Sequence, residues 1–251
     1  MRIADSVAVV TGASSGIGRA TALRLAASGA AVALVARREE ALREVAREIE
    51  QSGGRALIAP ADVSDFAAVE GVARRTAAEL GRLDVWVNDA GVTAFASFGE
   101  IPLEDFRRVL DVNVMGYVHG ARAALPFMRE QGRGVLVNVS SIVSEIPQPY
   151  AHAYCMSKAA IRVLSASLRQ ELRLDRVSGV KVYTVMPATI DTRLFEQAAN
   201  YTGRKAKAMP PVYSPQRVAR AVANVIRLPR REVVVGPRVA TSYCSGSSDP
   251  A

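Results

Sequence analysis

Cysteine and histidine are scarce: Cys155, Cys244, His119 and His152 are the only ones in 251 residues. The two thiols stand too far apart in sequence to suggest a disulfide framework. Neither histidine has the spacing of a metal ligand, so no metal site is expected. Both read as packing or surface groups, and Cys155 reads as a buried thiol with no base beside it. Long apolar runs are missing too, and none approaches the roughly 20 residues that span a bilayer. The chain enters its first apolar strand within a few residues, which argues against a signal peptide. There is no Pro/Gly/Ser-rich linker, no charge block, no internal repeat and no low-complexity stretch. Residues 1–240 therefore read as one domain, with the small, polar end at 241–251 expected to be disordered. A cytoplasmic enzyme is the default class.

Charge is plentiful but unevenly placed. The net charge is +8, and after Asn200 nine arginines and lysines, from Arg204 to Arg238, face only Glu232 and Asp249. A basic C-terminal fifth of this kind can touch nucleic acid or an acidic membrane surface. No nucleic-acid motif accompanies it, so a solvated or subunit-facing surface that attracts anionic substrates is the simpler reading.

The most informative stretch lies at the start. Residues 7–10, all valine or alanine, form a short run suited to a parallel strand covered on both faces. Gly12, Gly16 and Gly18 follow, and a helical segment runs from there to a stop at Ser28-Gly29. Glycines in a strand-to-helix turn let a ligand approach the backbone, and a helix N-terminus offers free N–H groups to an anion. A phosphate-bearing ligand is expected at this turn.

Strands and helices alternate from there on. Strands are expected at 31–36, 55–59, 83–87, 135–139, 180–185 and 232–235, with Pro187 breaking the sixth of the seven. Helices are expected at 39–51, from a Ser64 cap to about 80, at 102–130 with Pro126 bending or ending it, at 152–175, and at 215–228. Such alternation predicts an α/β fold, a doubly wound parallel sheet of about seven strands with helices on both faces. Ligands in these sheets bind beyond the C-terminal strand ends. Gly12, Arg37, Asp62, Asn88, Ser141 and Pro187 all follow strands and so gather along that one edge.

Tyr154 and Lys158 stand four apart on a predicted helix and share a face. A neighbouring ammonium favours the phenolate and lowers the tyrosine pKa. The pair can then give a proton to a carbonyl oxygen or take one from an alcohol.

Taken together, Thr11-Gly12-x-x-x-Gly16-Ile17-Gly18, Asp62, Asn88-x-Ala90-Gly91, Asn113, Ser141, Tyr154-x-x-x-Lys158 and Pro187 resemble the short-chain dehydrogenase/reductase family in order and approximate spacing. The resemblance covers roughly residues 5–195. It implies a Rossmann-like fold in which Tyr154 is the general acid or base and Lys158 tunes Tyr154 and binds the nicotinamide ribose. Ser141 would orient the substrate oxygen. Asn113 would distort its helix and hold a water of the proton relay. For the cofactor it implies contacts from Gly12, Ser14, Ser15, Gly16, Ile17, Gly18, Asn88, Ala90, Gly91, Tyr154, Lys158 and Pro187, with Asp62 and Val63 against the adenine. Ile190 and Thr192 would anchor the carboxamide and phosphates.

Cofactor choice rests on the end of the second strand. An acid there suits the ribose hydroxyls of NAD, whereas arginine suits the 2′-phosphate of NADP. Ala36 is followed by Arg37 and Arg38, which favours NADP (NADPH) over NAD. Three positions depart from the family pattern. Ser15 stands where NADP-preferring relatives often carry Lys or Arg. Asp89 replaces an asparagine, which removes amide donors and adds negative charge, a change able to loosen the sheet edge or weaken the cofactor site. Ala188 replaces a glycine.

The leading expectation is an NADP-dependent oxidoreductase that interconverts a ketone or aldehyde and its alcohol. The alternatives are a non-catalytic NADP-binding protein on the same fold and a nucleic-acid or membrane-surface module using the basic C-terminal region. Aromatic and apolar residues in 92–101 and 194–213 suggest a hydrophobic carbonyl or alcohol substrate. The resemblance further implies a homodimer or homotetramer built on the two long helices.

Overall fold

The computed structural model describes residues 1–206 and 208–236. The expected tail at 241–251 lies outside the described residues. In chain order the main elements are β1 (Val7–Thr11), α1 (Gly16–Ala26), β2 (Ala31–Val35), α2 (Glu39–Gln51), β3 (Arg55–Ile58), α3 (Phe66–Leu80) and β4 (Val85–Asn88). They continue with β5 (Ala94–Phe95), α4 (Leu103–Leu110), α5 (Gly116–Glu130), β6 (Gly134–Val139), α6 (His152–Leu174), β7 (Val180–Pro187), β8 (Ala199–Asn200), α7 (Pro215–Arg227) and β9 (Glu232–Val235).

Seven strands form one all-parallel sheet in the order β3-β2-β1-β4-β6-β7-β9. The order reverses direction at β1, the usual place for a ligand crevice in a doubly wound sheet. Successive side chains of β1 point to opposite faces. Ala8 and Val10 pack beneath α1, α2 and α7 on one face, while Val9 faces α3, α5 and α6 on the other. Both faces are covered, so a polar side chain on the strand must find a hydrogen-bond partner, as Thr11 does at its end.

The structure refines several local expectations and corrects some. The cap of α3 is Asp65, not Ser64: its carboxylate accepts from the Ala67 and Ala68 N–H groups at 2.9 and 3.2 Å, while Ser64 turns back to Asp62. The predicted helix at 102–130 is continuous but changes character, with a five-residue π turn, Asp111–Met115, between α4 and α5. Of the two expectations for Pro126, only the ending of the helix is excluded, because it sits inside α5. Pro187 is the last residue of β7, beyond the expected end at 185, and it pairs in register with Val235. The sequence reading also missed a two-stranded parallel sheet, β5–β8, which ties the segment after β7 to the loop after β4.

Candidate active site

The C-terminal strand ends border a cleft of about 690 Å³. Gly12, Ser14, Ser15, Gly16, Ile17, Arg37, Arg38, Asp62 and Val63 line one end. Ala90, Gly91, Ser141, Tyr154, Lys158, Pro187, Ile190 and Thr192 line the rest. Three predicted site residues, Gly18, Asn88 and Asn113, lie behind this wall. Gly18 packs against the loop itself, since a Cβ there would fall 2.3 Å from the Gly12 carbonyl oxygen. Gly12 and Gly16 take φ values of +72° and +55°, which L side chains rarely adopt, and a Cβ on Gly16 would crowd Thr192. The loop is thus a cradle of bare backbone opening on the N-terminus of α1, which fits a phosphate group.

Asn88 is fully buried and braces the sheet from behind. It accepts from Trp86 Nε1 at 2.7 Å and donates to Asn138 Oδ1 at 2.9 Å, and Asn138 donates to Ser165 at 2.8 Å. Asn113 occupies the π turn. It exchanges hydrogen bonds with the Val92 N–H and carbonyl at 2.8 and 2.9 Å and donates to Ser157 at 3.0 Å. Its side chain is fully engaged, so the turn fixes the strand-to-loop exit after Gly91. A π turn also disturbs the regular carbonyl ladder of the helix.

At the centre of the cleft, Ser141 stands just after β6, and Tyr154 and Lys158 lie on one face of α6. The Lys158 ammonium donates to the Val139 carbonyl at 2.9 Å and lies 5.5 Å from the Tyr154 ring centroid. Burial pushes the Tyr154 hydroxyl above its ordinary range. The neighbouring Ser141 hydroxyl opposes that shift, and the Asp89 charge adds to it. This differs from the expected lowering by Lys158, because desolvation of the phenolate outweighs the other influences on Tyr154. Burial likewise pushes Lys158 down, against the pull of Asp89, and pushes Asp89 up, against Lys158 and the Gly18 N–H.

Asp89 is tied to the sheet edge through its backbone. Its N–H and that of Ala90 both donate to Thr11 Oγ1, at 3.0 and 3.2 Å, which joins the ends of β1 and β4. Ala188 is accommodated by a second glycine. A Cβ on Gly236 would lie 2.5 Å from the Ala188 Cβ, so the methyl group at 188 needs its absence at 236.

The structure adds a residue the sequence reading missed. Arg108 lines the cleft from α4 and ion-pairs with Asp62 at 2.9 Å. Burial alone would raise the Asp62 carboxyl, but hydrogen bonds from Ser64 and the Arg108 guanidinium hold it down at about 2. The partners stand 46 positions apart, so no local spacing signals the pair. Toward the other end, Phe95 and Phe195 stack 6.1 Å apart with planes 10° off parallel, walling the cleft near Cys155.

The remaining residues stay outside this chemistry. His119 Nδ1 meets the Val63 carbonyl at 2.9 Å, and His152 packs edge-on against Phe98. Among the described residues no group of three His, Cys, Asp or Glu side chains can hold a metal ion. No described helix is long and apolar enough to cross a membrane. Of the basic C-terminal residues, Arg230 and Arg231 line a separate groove with Arg169, Arg173, Arg176 and Lys181, away from the cleft.

The family model described as short chain dehydrogenase matches residues 6–202. The chain belongs to that family. It is 34% identical over 251 residues to the uncharacterized oxidoreductase YxnA of Bacillus subtilis, covering 99% of this chain and 70% of that protein. The structure is similar to an alcohol dehydrogenase from the archaeon Thermococcus sibiricus complexed with 5-hydroxy-NADP. The TM-score is 0.80, with 30% identity over 91% of this chain and 95% of that one. It is also similar to a short-chain dehydrogenase/reductase from Burkholderia phymatum in complex with NAD. There the TM-score is 0.86, with 26% identity over 94% and 91% of the two chains. The two solved relatives thus carry different nucleotides.

Proposed function

We propose that this short-chain dehydrogenase is an NADP-dependent oxidoreductase interconverting an apolar ketone or aldehyde and its alcohol, with Tyr154 as general acid or base. The observation that carries this reading is the placement of Ser141, Tyr154 and Lys158 on the wall of the same cleft that the glycine cradle opens. In the reducing direction the Tyr154 hydroxyl gives its proton to the carbonyl oxygen as that oxygen gains negative charge. The Ser141 hydroxyl donates a hydrogen bond to the same oxygen and aligns it. The Lys158 ammonium stabilises the phenolate left behind and faces the nicotinamide ribose. The bound nicotinamide supplies the hydride that reaches the carbonyl carbon, or accepts it in the reverse direction. Asn113 keeps Val92 and the loop after Gly91 in place beneath this centre.

Arg37 and Arg38 line the cleft end where β2 finishes and suit a 2′-phosphate, which supports NADP over NAD. Asp62 and Val63 take the adenine side, and Pro187, Ile190 and Thr192 take the carboxamide side. The Phe95–Phe195 stack, with Val143, Leu194 and Met209, favours an uncharged apolar substrate. The same reading takes residues 1–240 as one cytoplasmic domain. It forms a homodimer or homotetramer through the α4–α5 and α6 faces, without nucleic acid.

The test is titration with NADPH and with NADH by nicotinamide fluorescence, for wild type and Arg37→Ala, followed by a panel of steroid, aryl and aliphatic ketones. Tighter NADPH binding, weakened tenfold or more by the substitution while NADH is unaffected, supports the cofactor assignment; that fold-change is about 1.4 kcal/mol. Turnover of apolar ketones that Tyr154→Phe abolishes, with NADPH binding retained, supports the chemistry. NADPH binding with no turnover of any carbonyl would leave a nucleotide-binding protein on this fold.

A further inference from the structure

Two side chains face Lys158 from neighbouring elements: Tyr117, outside the family motif, and Asp89, where this chain departs from it. Tyr117 projects from α5 and is fully buried, 1% exposed. Its hydroxyl donates to the Val139 carbonyl at 2.8 Å, the same oxygen that accepts from Lys158 Nζ at 2.9 Å. That hydroxyl also accepts from Nζ at 3.3 Å, and the ammonium lies 5.2 Å from the Tyr117 ring centroid. An ammonium has three N–H donors. Val139 and Tyr117 take two of them, leaving one for the cleft.

We propose that Tyr117, assisted by Asp89, is a positioning residue that holds the Lys158 side chain protonated against Val139 with its remaining N–H turned to the cleft. The assignment of Lys158 to the nicotinamide ribose rests on the function proposed above. The physical need is plain: a buried ammonium loses its hydration, and burial does push Lys158 down. The titratable groups that face it are Asp89 at the end of β4, Tyr117 on α5 and Tyr154 on α6 itself. Asp89 attracts the ammonium by charge. Tyr117 supplies an acceptor oxygen and the face of its ring, which attracts a cation by its quadrupole. Tyr154 offers a second ring on the cleft side.

The sign of the effect follows. Tyr117→Phe keeps the ring and deletes one acceptor of the charged form, so Lys158 gives up its proton at lower pH. Asp89→Asn deletes the opposing charge and moves the same midpoint in the same direction without touching the 3.3 Å contact. Nucleotide binding that uses the ammonium is lost as pH rises through the Lys158 pKa, so both variants lose it earlier.

The decisive experiment follows NADPH binding by nicotinamide fluorescence from neutral to alkaline pH for wild type, Tyr117→Phe, Asp89→Asn and Lys158→Met. Lys158→Met identifies the transition that belongs to Lys158 by abolishing it. The expected result for Tyr117→Phe is a midpoint lowered by about half a pH unit or more, with the dissociation constant at the acid end within about twofold of wild type. A midpoint equal to that of wild type overturns the proposal. A purely structural role for Tyr117 would weaken binding equally at every pH, which also overturns it.

A second measurement needs no nucleotide. The difference in melting temperature between wild type and Lys158→Met, followed with pH, reports the Lys158 titration. Stability from a lysine whose native pKa is lowered rises with pH between that value and its unfolded value of about 10.4. Tyr117→Phe must move the start of this rise to lower pH. Absence of NADPH binding in the wild type would count against the proposed function alone, and the melting series would still decide the role of Tyr117.

Discussion

At the scale of single residues, the ion pair between Asp62 and Arg108 shows how a partner distant in sequence sets a carboxylate. With its native pKa at about 2, against 3.8 ordinarily, Asp62 contributes stability that is fully present above 3.8 and lost as pH falls toward 2. Arg108→Ala removes that guanidinium, and the carboxyl rises toward its ordinary value. The expected outcome is acid unfolding that begins at higher pH, seen by circular dichroism. NADPH and NADH binding should weaken together, since both nucleotides carry the adenine that Asp62 and Val63 would meet. Arg37→Ala, in contrast, should discriminate between the two nucleotides, which separates the roles of the arginines.

At the scale of elements, capping and helix register decide what the side chains can reach. Asp65 satisfies two free N–H groups at the start of α3, at 2.9 and 3.2 Å. Asp65→Ala is expected to cost about 1 kcal/mol in urea denaturation. Ser64→Ala leaves the cap intact and should disturb Asp62 instead. The choice between neighbouring Ser64 and Asp65 was not legible in sequence, because both residue types cap helices and only the backbone direction tells them apart. The π turn at Asn113 was partly legible: the family resemblance implied a distorted helix, but nothing in the pattern of 111–115 marks the extra residue. Pro187 reads as a breaker in sequence, yet its missing N–H matters only if the ladder needs it there; at the C-terminal end of β7 the sheet tolerates it.

At the scale of the whole molecule, α4 and α6 leave apolar side chains on the surface. Leu103 on α4, and Met156 and Val163 on α6, are 80%, 54% and 69% exposed. Burying such a face is favourable by about 25 cal/mol per Å², which supports the proposed assembly through these helices. Sedimentation equilibrium should show a dimer or larger species for wild type, and Val163→Glu should shift it toward the monomer. A wild-type monomer at micromolar concentration would count against assembly through this face. The β5–β8 sheet acts at this scale too, because it pins the segment after β7 beside Phe95 and so brings Phe195 into its stack. The clip is short: Ala94 and Phe95 pair with Ala199 and Asn200, and the Tyr201 N–H donates to the Phe95 carbonyl at 2.7 Å.

Local and periodic features could be settled from the amino-acid sequence alone. Alternating apolar strands and amphipathic helices fixed the parallel sheet and the edge where a ligand must bind, because backbone geometry repeats every two residues in a strand and about every 3.6 in a helix. The glycine turn after β1 and the Tyr154–Lys158 pair were legible for the same reason, since their partners lie within a few residues. Contacts between residues far apart in the chain emerged only on folding. Asn88 turned from a cleft residue into a buried brace because Trp86, Asn138 and Tyr117 surround it. Arg108 met Asp62, Gly236 made room for Ala188, and Tyr117 reached Lys158 across 41 positions. Charge state followed the same division, because the number of ionisable groups is written in the composition, while burial and long-range partners set which proton each one keeps.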